Sequence, residues 1–232
     1  MGAGLAALRR FYRPFFLIQA AALLLVVSYH QSGAVRALCE TLGSIKLAGG
    51  LPFAAVTGSL AGGVLPELSR VLVDWKRYTL RGRAGEVLFN LAFFAFNGVV
   101  IDCLYRVEAL LFGNDSSLPT IAMKTAFDQF VFNPLWAPLV IVLFSWRREG
   151  FSLPPTLASL RQPGFYKNKV IPLLLPVWCF WIPMVCFIYA LPGPLQFVLF
   201  VLALGAWSLI MVYIANASAS GRAEATAAPA PA

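Results

Sequence analysis

The chain has 232 residues, a formal net charge of +8, and a composition that is 59% hydrophobic and only 12% charged. Soluble domains carry about 25% charged residues, so this composition, with a mean hydropathy of +0.76, excludes an ordinary soluble domain and predicts a polytopic helical membrane protein. No basic run is long enough to bind nucleic acid, and the positive charge instead predicts basic loops on one side of a membrane. The four cysteines form no Cys-x-x-Cys pair, which indicates free, packing thiols.

The first apolar run covers residues 14–29 and follows three arginines, Arg9, Arg10 and Arg13. A signal peptide has the same order of charge and hydrophobicity, but no small-residue cleavage site follows this run. We therefore expect a retained first span, which together with the loop after it makes an added segment over residues 1–44. An arginine-rich, acid-poor start also suits mitochondrial import, although too few residues precede Arg9 for a separate presequence.

The second predicted span, residues 45–65, is rich in small side chains. Ala54, Gly58 and Gly62 recur every four residues and therefore lie on one helical face. Small residues at this spacing let two helix backbones approach closely, so that dispersion replaces the hydrophobic drive that is missing in lipid. We expect this small-residue seam to pack within the chain, with a dimer interface as the alternative.

The third predicted span, residues 87–111, carries several polar side chains. Asn90 and Asn97 lie seven residues apart on one face, Tyr105 falls near that face, and Asp102 lies further round. Interhelical hydrogen bonds, each worth about 0.6 kcal/mol, are the simpler explanation of these groups. The alternative is a polar strip that lines a water-filled path.

The fourth predicted span, residues 120–144, is apolar overall but has four polar side chains in its first half: Lys124, Asp128, Gln129 and Asn133. A charge near the bilayer centre costs about 2.5 to 3.5 kcal/mol. Lys124 and Asp128 are four residues apart, so we expect them to neutralise each other in part. We expect this span to lie in the interior of the bundle, surrounded by the others, and to form one buried polar network with Asn97 and Asp102.

Residues 172–190 and 194–215 are the last two predicted spans, separated by a tight turn. Six spans with both ends of the chain on the inner side place 14 of the 18 basic residues in inner segments and leave four outside: Arg36, Lys46, Arg106 and Lys124. This bias supports the topology. The predicted fold is an all-α membrane bundle of about six transmembrane helices with both termini on the same side.

Three segments lie outside the predicted spans. Leu68, Leu72 and Trp75 indicate that a helix continues past the membrane surface after the second span. Pro154-Pro155 begins a short predicted helix that lies along the membrane surface. Residues 217–232 form a low-complexity tail that buries too little to order itself, which leaves residues 45–216 as the main membrane domain.

Four stretches share their order and spacing with a known family: Thr57-Gly58-Ser59-Leu60 followed by Gly62; Gly98 followed by Tyr105; Lys124 followed by Asp128-Gln129 and Pro134; and Pro192 followed by Trp207. Over residues 46–213 the chain thereby resembles the Mpv-seventeen and twenty-two-kilodalton peroxisomal membrane protein family. It departs from that family at Leu65, where members carry an acidic residue, and at Gln196, where they carry an arginine. The resemblance implies an organellar membrane, the mitochondrial inner membrane first and the peroxisomal membrane next, and a proposed channel for small solutes.

No enzymatic site is predicted. The single histidine, His30, lies at a predicted membrane interface, and no Ser/His/Asp or Cys/His set can be assembled around it. No metal-ligand spacing and no phosphate-binding loop occurs, so no cofactor is expected. A catalytic pair of intramembrane aspartates, Asp102 with Asp128, is conceivable, but Arg106 and Lys124 favour ion pairs over it.

Two functions remain. The first is a solute or ion channel that maintains membrane permeability, with a polar network or pore lining formed by Asn90, Asn97, Asp102, Tyr105, Lys124, Asp128, Gln129 and Asn133. The second is a non-catalytic accessory subunit of a larger membrane complex, for which the small-residue seam, the added first span and the tail supply packing surfaces. The family resemblance favours the channel, whereas the scarcity of polar side chains in the last two spans favours the accessory subunit. The expected partners are the lipid bilayer and either a homo-oligomer or a larger membrane complex, with no nucleic acid.

Overall fold

The computed structural model describes the backbone of residues 2–73 and 78–227, and the side chains discussed below lie within residues 13–72, 78–158 and 160–212. In the described residues the regular structure is all helical: α1 (Gly2–Gln31), α2 (Gly33–Ser59), α3 (Leu65–Val73), α4 (Leu80–Phe112), α5 (Leu118–Phe127), α6 (Asn133–Arg148), α7 (Leu153–Leu160), α8 (Ile171–Tyr189) and α9 (Gly193–Ala227). Six stretches are long and apolar enough to cross a membrane: Arg13–Gln31, Gly33–Leu72, Leu80–Phe112, Leu118–Arg148, Tyr166–Tyr189 and Gly193–Val212. This confirms the predicted six-span, all-α fold, and six crossings return the chain to the side on which it began.

α2 begins earlier than predicted, at Gly33 rather than at residue 45, and it is bent. Ser32 caps it, because the Ser32 hydroxyl accepts a hydrogen bond from the backbone N–H of Val35 at 3.4 Å. The bend lies at Gly50, whose φ of +52° is in the left-handed region that glycine adopts without strain. Pro52 follows two residues later and has no N–H to donate, so the hydrogen-bond ladder is interrupted at the same place.

The segments outside the predicted spans are more helical than the sequence indicated. The short helix predicted after Pro154-Pro155 is confirmed as α7. Helix α9 continues into the low-complexity tail as far as Ala227, and alanine, the best helix former, is frequent there. That the tail buries too little to order itself stays a prediction, and residues 228–232 lie outside the described part. The predicted continuation of α3 as far as Trp75 also lies outside it, since the description of that helix ends at Val73.

Three spanning stretches contain one wider, π-helical turn, and each of these turns ends just before a proline. The turns cover Leu60–Val64, Asp128–Phe132 and Tyr166–Val170, and each is closed by an N–H that donates to the carbonyl five residues back. The residue after each closing N–H is a proline: Pro66, Pro134 and Pro172. A proline ring crowds the carbonyl four residues before it and offers no N–H, so a wider turn relieves the contact.

α9 lies at the centre of the bundle. In the apolar window of Gly193–Val212, 61% of the residues are buried within the protein, against 17% for Leu118–Arg148. The prediction that the fourth span is surrounded by the others is therefore wrong. Its polar residues share one inward face while Phe130 and Leu135 point outward, whereas α9 is mostly apolar and buries most of its residues, with Leu202 and Leu209 on its exposed side.

The small-residue seam packs α2 directly against α4. A Cβ atom added at Gly58 would lie 2.6 Å from the carbonyl oxygen of Phe94, and one added at Gly98 would overlap the carbonyl oxygen of Ala54. Gly62 faces the ring of Phe94 in the same way. The two backbones are thus closer than a side chain between them would allow, and the seam is occupied within the chain.

Candidate functional site

A cavity of about 420 Å³ lies inside the bundle between α4, α6, α8 and α9 and reaches the ends of α3 and α5. Its lining includes eight polar side chains: Arg70, Asn90, Asn97, Tyr105, Asp128, Gln129, Asn133 and Ser208. Six of them belong to the pore lining that the sequence analysis proposed. The other two proposed residues, Asp102 and Lys124, are buried outside this space, which we call the polar cavity.

The polar cavity runs lengthwise through the bundle. Asn90 and Tyr105 lie on its wall fifteen residues apart on α4, a distance of about 22 Å along a helix. The hydrocarbon core of a bilayer is about 30 Å thick, so the length of the cavity is comparable to most of that thickness. α8 and α9 supply an apolar wall with the rings of Trp181 and Trp207, where Ser208 is the polar exception. One wall therefore carries most of the polar side chains, set among apolar ones such as Phe93 and Val140, and the opposite wall is largely aromatic and aliphatic.

The π turn at Asp128–Phe132 orients the polar side chains that the fourth span contributes to the cavity wall. The Asn133 side-chain amide donates to Oε1 of Gln129 at 2.9 Å, and the indole N–H of Trp178 donates to the backbone carbonyl of Gln129 at 2.8 Å. That carbonyl has no donor in its own helix, because the N–H of Asn133 is used five residues back and Pro134 has none. The wider turn therefore does not leave the backbone carbonyl of Gln129 unpaired.

One polar atom on the cavity wall has no partner. Oδ1 of Asn90 is buried and has no hydrogen-bond partner among the described residues. A buried amide oxygen without a hydrogen bond costs about 1 to 3 kcal/mol. Water or a bound solute in the polar cavity would satisfy it.

Two carboxyl groups and a tyrosine meet at one end of the polar cavity. The Tyr189 hydroxyl oxygen lies 2.7 Å from Oε2 of Glu108 and 3.0 Å from Oδ2 of Asp128, and all three side chains are buried. The Tyr105 ring packs edge-on against the Tyr189 ring, with centroids 5.7 Å apart. We call Glu108, Asp128 and Tyr189 the carboxyl–tyrosine cluster; of the three, Asp128 alone lines the cavity.

Lys124 lies beside this cluster but does not bond to it. Its Nζ atom is 5.6 Å from the centre of the Tyr189 ring, and it has no hydrogen-bond partner among the described residues. The predicted local neutralisation of Lys124 by Asp128 is therefore not made by a hydrogen bond. The π turn begins at Asp128, and the carboxylate turns to Tyr189 of α8 instead.

Asp102 belongs to a second, separate cluster. It forms an ion pair with Lys46 of α2. Its Oδ2 atom also accepts two hydrogen bonds from Arg106, one from Nε at 3.0 Å and one from Nη2 at 2.8 Å. Asp102 and Lys46 are both buried. The single network predicted for Asn97, Asp102 and the fourth span is thus divided, because the counter-charge of Asp102 comes from α2 and not from the fourth span.

A third cluster joins α3 to the start of α4 near the opposite end of the polar cavity. The buried Glu67 carboxylate accepts hydrogen bonds from Arg70 at 2.8 Å, from the Tyr78 hydroxyl at 2.9 Å and from Arg83 at 2.8 Å. Partial desolvation and the bond to the Glu67 carboxylate raise the pKa of Tyr78. Arg70 also lines the cavity, so this cluster fixes a cation at its mouth.

The loop before α5 carries a smaller capping arrangement. Oδ1 of Asp115 accepts from the backbone N–H of Ser117 at 2.9 Å, and Oδ2 accepts from the Thr120 hydroxyl at 3.0 Å. Hydrogen bonds from Ser117 and Thr120 hold the pKa of Asp115 below its usual value. Among the described residues, no group of three or more His, Cys, Asp and Glu side chains is arranged to hold a metal ion.

Several residues of these clusters were absent from the predicted site, among them Glu108, Lys46 and Tyr189. Glu108 follows Tyr105 by three residues and so shares its face, a spacing that identifies it as inward-facing. Its place near the end of a span, where acids usually face water, obscures this signal. Lys46 and Tyr189 carry no such local signal, since their partners lie on other helices.

Comparisons of the chain with protein-family models, with curated proteins and with solved structures gave no match.

Proposed function

We propose that this protein lets a small solute cross an organellar membrane through the polar cavity. The resemblance to the peroxisomal and mitochondrial family motivates the organelle, with the mitochondrial inner membrane first and the peroxisomal membrane next. The polar cavity is the observation that carries the proposal. Polar side chains are costly in lipid, so a strip of them that faces an internal space comparable in length to most of the bilayer core supports a solvated path.

The cavity is closed at one end in this structure. It ends at Tyr105 and Asp128, and Tyr189 and Glu108 behind them are buried and do not line it. A solute that enters past Arg70 therefore meets the carboxyl–tyrosine cluster, and passage requires these side chains to move. The solute is small, since the cavity of about 420 Å³ is near the lower end of the range for ligand sites, about 300 to 1,000 Å³.

The alternative function, an accessory subunit of a larger complex, has less support. It drew on the small-residue seam, the added first span and the tail as surfaces for a partner, and the side chains of the tail lie outside the described residues. The seam is filled by α4 of the same chain. α1 uses one face to pack against the bundle, since the Phe15 ring lies 5.5 Å from Phe180 and 5.9 Å from Trp207, and Gln19 donates to the Phe180 carbonyl at 2.7 Å. Its other face, with Phe16, Leu17 and Leu24, is exposed and is open to lipid or to a partner.

The test places a cysteine on the cavity wall in a chain whose four native cysteines are replaced by alanine. Ser208→Cys lines the cavity and is the test position, and Leu209→Cys, one residue on and 37% exposed on the outer face of α9, is the matched control. Both variants are reconstituted into liposomes and planar bilayers, and solute flux is measured before and after a charged, membrane-impermeant thiol reagent. We expect flux through Ser208→Cys to fall with the reagent and return with a reductant, while Leu209→Cys is unaffected.

Two results would overturn the proposal. The first is an absence of flux from the folded, cysteine-containing protein under all solutes and voltages tried. The second is flux that the reagent leaves unchanged at Ser208→Cys although the thiol has been labelled. Constant co-purification with a larger membrane complex, together with the first result, would establish the accessory subunit instead.

A further inference from the structure

The hydrogen-bond geometry of the carboxyl–tyrosine cluster requires one more hydrogen than the cluster has when both carboxyl groups are ionised. The Tyr189 hydroxyl has one hydrogen, yet its oxygen is 2.7 Å from a Glu108 oxygen and 3.0 Å from an Asp128 oxygen. One hydrogen can serve only one of these two short contacts. With both carboxyls ionised, the other contact would set two oxygen lone pairs against each other in a buried site. If one carboxyl carries a proton, its O–H donates to the phenol oxygen, and both contacts are hydrogen bonds.

The charges in and around the cluster also favour one added proton. Glu108 projects from α4, Asp128 from the turn after α5, and Tyr189 from α8; the other titratable groups that face them are Tyr105 on α4, Lys124 on α5 and, further out, Asp115. Two carboxylates and the ammonium of Lys124 sum to a charge of −1, whereas one added proton makes this buried group neutral. A net charge is costly inside a membrane, so the neutral form is favoured.

Two buried atoms, one in the cluster and one beside it, show that the cluster is not neutralised by ion pairs. Nζ of Lys124 and Oε1 of Glu108 have no hydrogen-bond partner among the described residues, although the two side chains are 1% and 0% exposed. The cluster is therefore not a closed set of ion pairs like that of Asp102, in which Lys46 and Arg106 bind both carboxylate oxygens.

We infer that Glu108 and Asp128 together form a binding site for a single proton, bridged by the Tyr189 hydroxyl and open to the polar cavity through Asp128. The proton enters on Asp128, the member that lines the cavity. The Asp128 O–H then donates to the Tyr189 oxygen while the Tyr189 O–H donates to Glu108. A concerted shift along these two hydrogen bonds moves the proton from Asp128 to Glu108 without any change in net charge. This site does not depend on whether a solute crosses the cavity.

Infrared spectroscopy of the full chain in lipid nanodiscs tests the inference. At neutral pH we expect the carbonyl band of one protonated carboxylic acid per chain, and we expect it to shift on transfer to deuterium oxide because the proton exchanges through the cavity. Asp128→Asn and Glu108→Gln should each abolish the band. Each amide mimics the protonated acid, so the fold is kept, and the remaining carboxylate is balanced by Lys124. Glu149→Gln, at an exposed position, is the control that should keep the band.

The outcomes are distinct. Absence of the band from the wild-type protein at neutral pH overturns the inference without any variant. A band that keeps its full intensity in both amide variants assigns the proton to another acid and overturns it as well. A band that does not shift in deuterium oxide contradicts the opening to the cavity.

Discussion

Gly58→Ala should weaken the bundle, because the small-residue seam leaves no room for a methyl group. The added Cβ would lie 2.6 Å from the carbonyl oxygen of Phe94 and 3.0 Å from the Cα of Gly98, and both are backbone atoms of α4 that cannot rotate away. Gly85→Ala is the matched control. Gly85 is also helical, but a Cβ there meets no atom within 4 Å.

The expected magnitude follows from the distance that the helices must move. Carbon and oxygen atoms without a bond between them prefer to be about 3.5 Å apart, so α2 and α4 must separate by roughly 1 Å, which removes a quarter to a half of the dispersion energy of the contacts involved. Overpacking of this kind costs about 1 to 3 kcal/mol. The better helix propensity of alanine returns at most about 1 kcal/mol. We therefore expect a net loss of about 1 to 2 kcal/mol for Gly58→Ala and a gain of up to about 1 kcal/mol for Gly85→Ala.

Reversible unfolding in mixed micelles, followed by circular dichroism as the denaturing detergent increases, measures both free energies. Unchanged or greater stability in Gly58→Ala would refute the reasoning, since it would mean that the helices are not in backbone contact. An equal loss in Gly85→Ala would also refute it, because the effect would then belong to any glycine in a spanning helix.

Three further changes test the charged clusters. Lys46→Met should lower the free energy of unfolding by about 3 kcal/mol, because it removes one of the two positive charges that balance the buried Asp102. Adding Asp102→Asn should recover part of the loss. Unfolding titrations of the single and double variants measure both changes. Glu67→Ala should lower the free energy of unfolding by about 2 kcal/mol in the same assay, since three donors lose their acceptor. Glu86→Ala is the control; it removes partly exposed ion pairs and should cost less than about 1 kcal/mol. Asp115→Asn should be less stable than wild type above about pH 3.9, the usual aspartate pKa. The difference in stability should vanish as the pH falls through the lowered folded-state pKa of Asp115. Thermal melts over a pH series measure this difference.

The spans could be predicted from the sequence because each is set by its own residues. About 20 apolar residues are needed to cross a bilayer whatever surrounds them, and all six stretches meet that condition. The position of a span in the bundle depends on the other helices. We predicted that the fourth span lies at the centre because it carries polar residues, but one inward face is enough to bury them. The mostly apolar α9 lies at the centre instead.

The same distinction applies to the site. Asn97 and Asp128 were predicted to face inward because lipid excludes them, and both are buried. Their neighbours could not be predicted by spacing along one helix. Asp102 pairs with Lys46, which is 56 residues away in the sequence, and Asp128 turns to Tyr189 on α8. Spacing rules for an α-helix also fail where the helix widens, as it does from Asp128 to Phe132.

The pairing of Lys46 with Asp102 constrains how the chain is inserted during synthesis. Lys46 is made 56 residues before its counter-charge, so α2 reaches the bilayer while the ammonium has no partner. Moving such a charge inward alone costs about 2.5 to 3.5 kcal/mol, and the cost disappears once Asp102 of α4 arrives beside it. We therefore expect the second spanning helix to stay near the interface until α4 arrives, so that the two helices insert together as a helical hairpin and not one after the other.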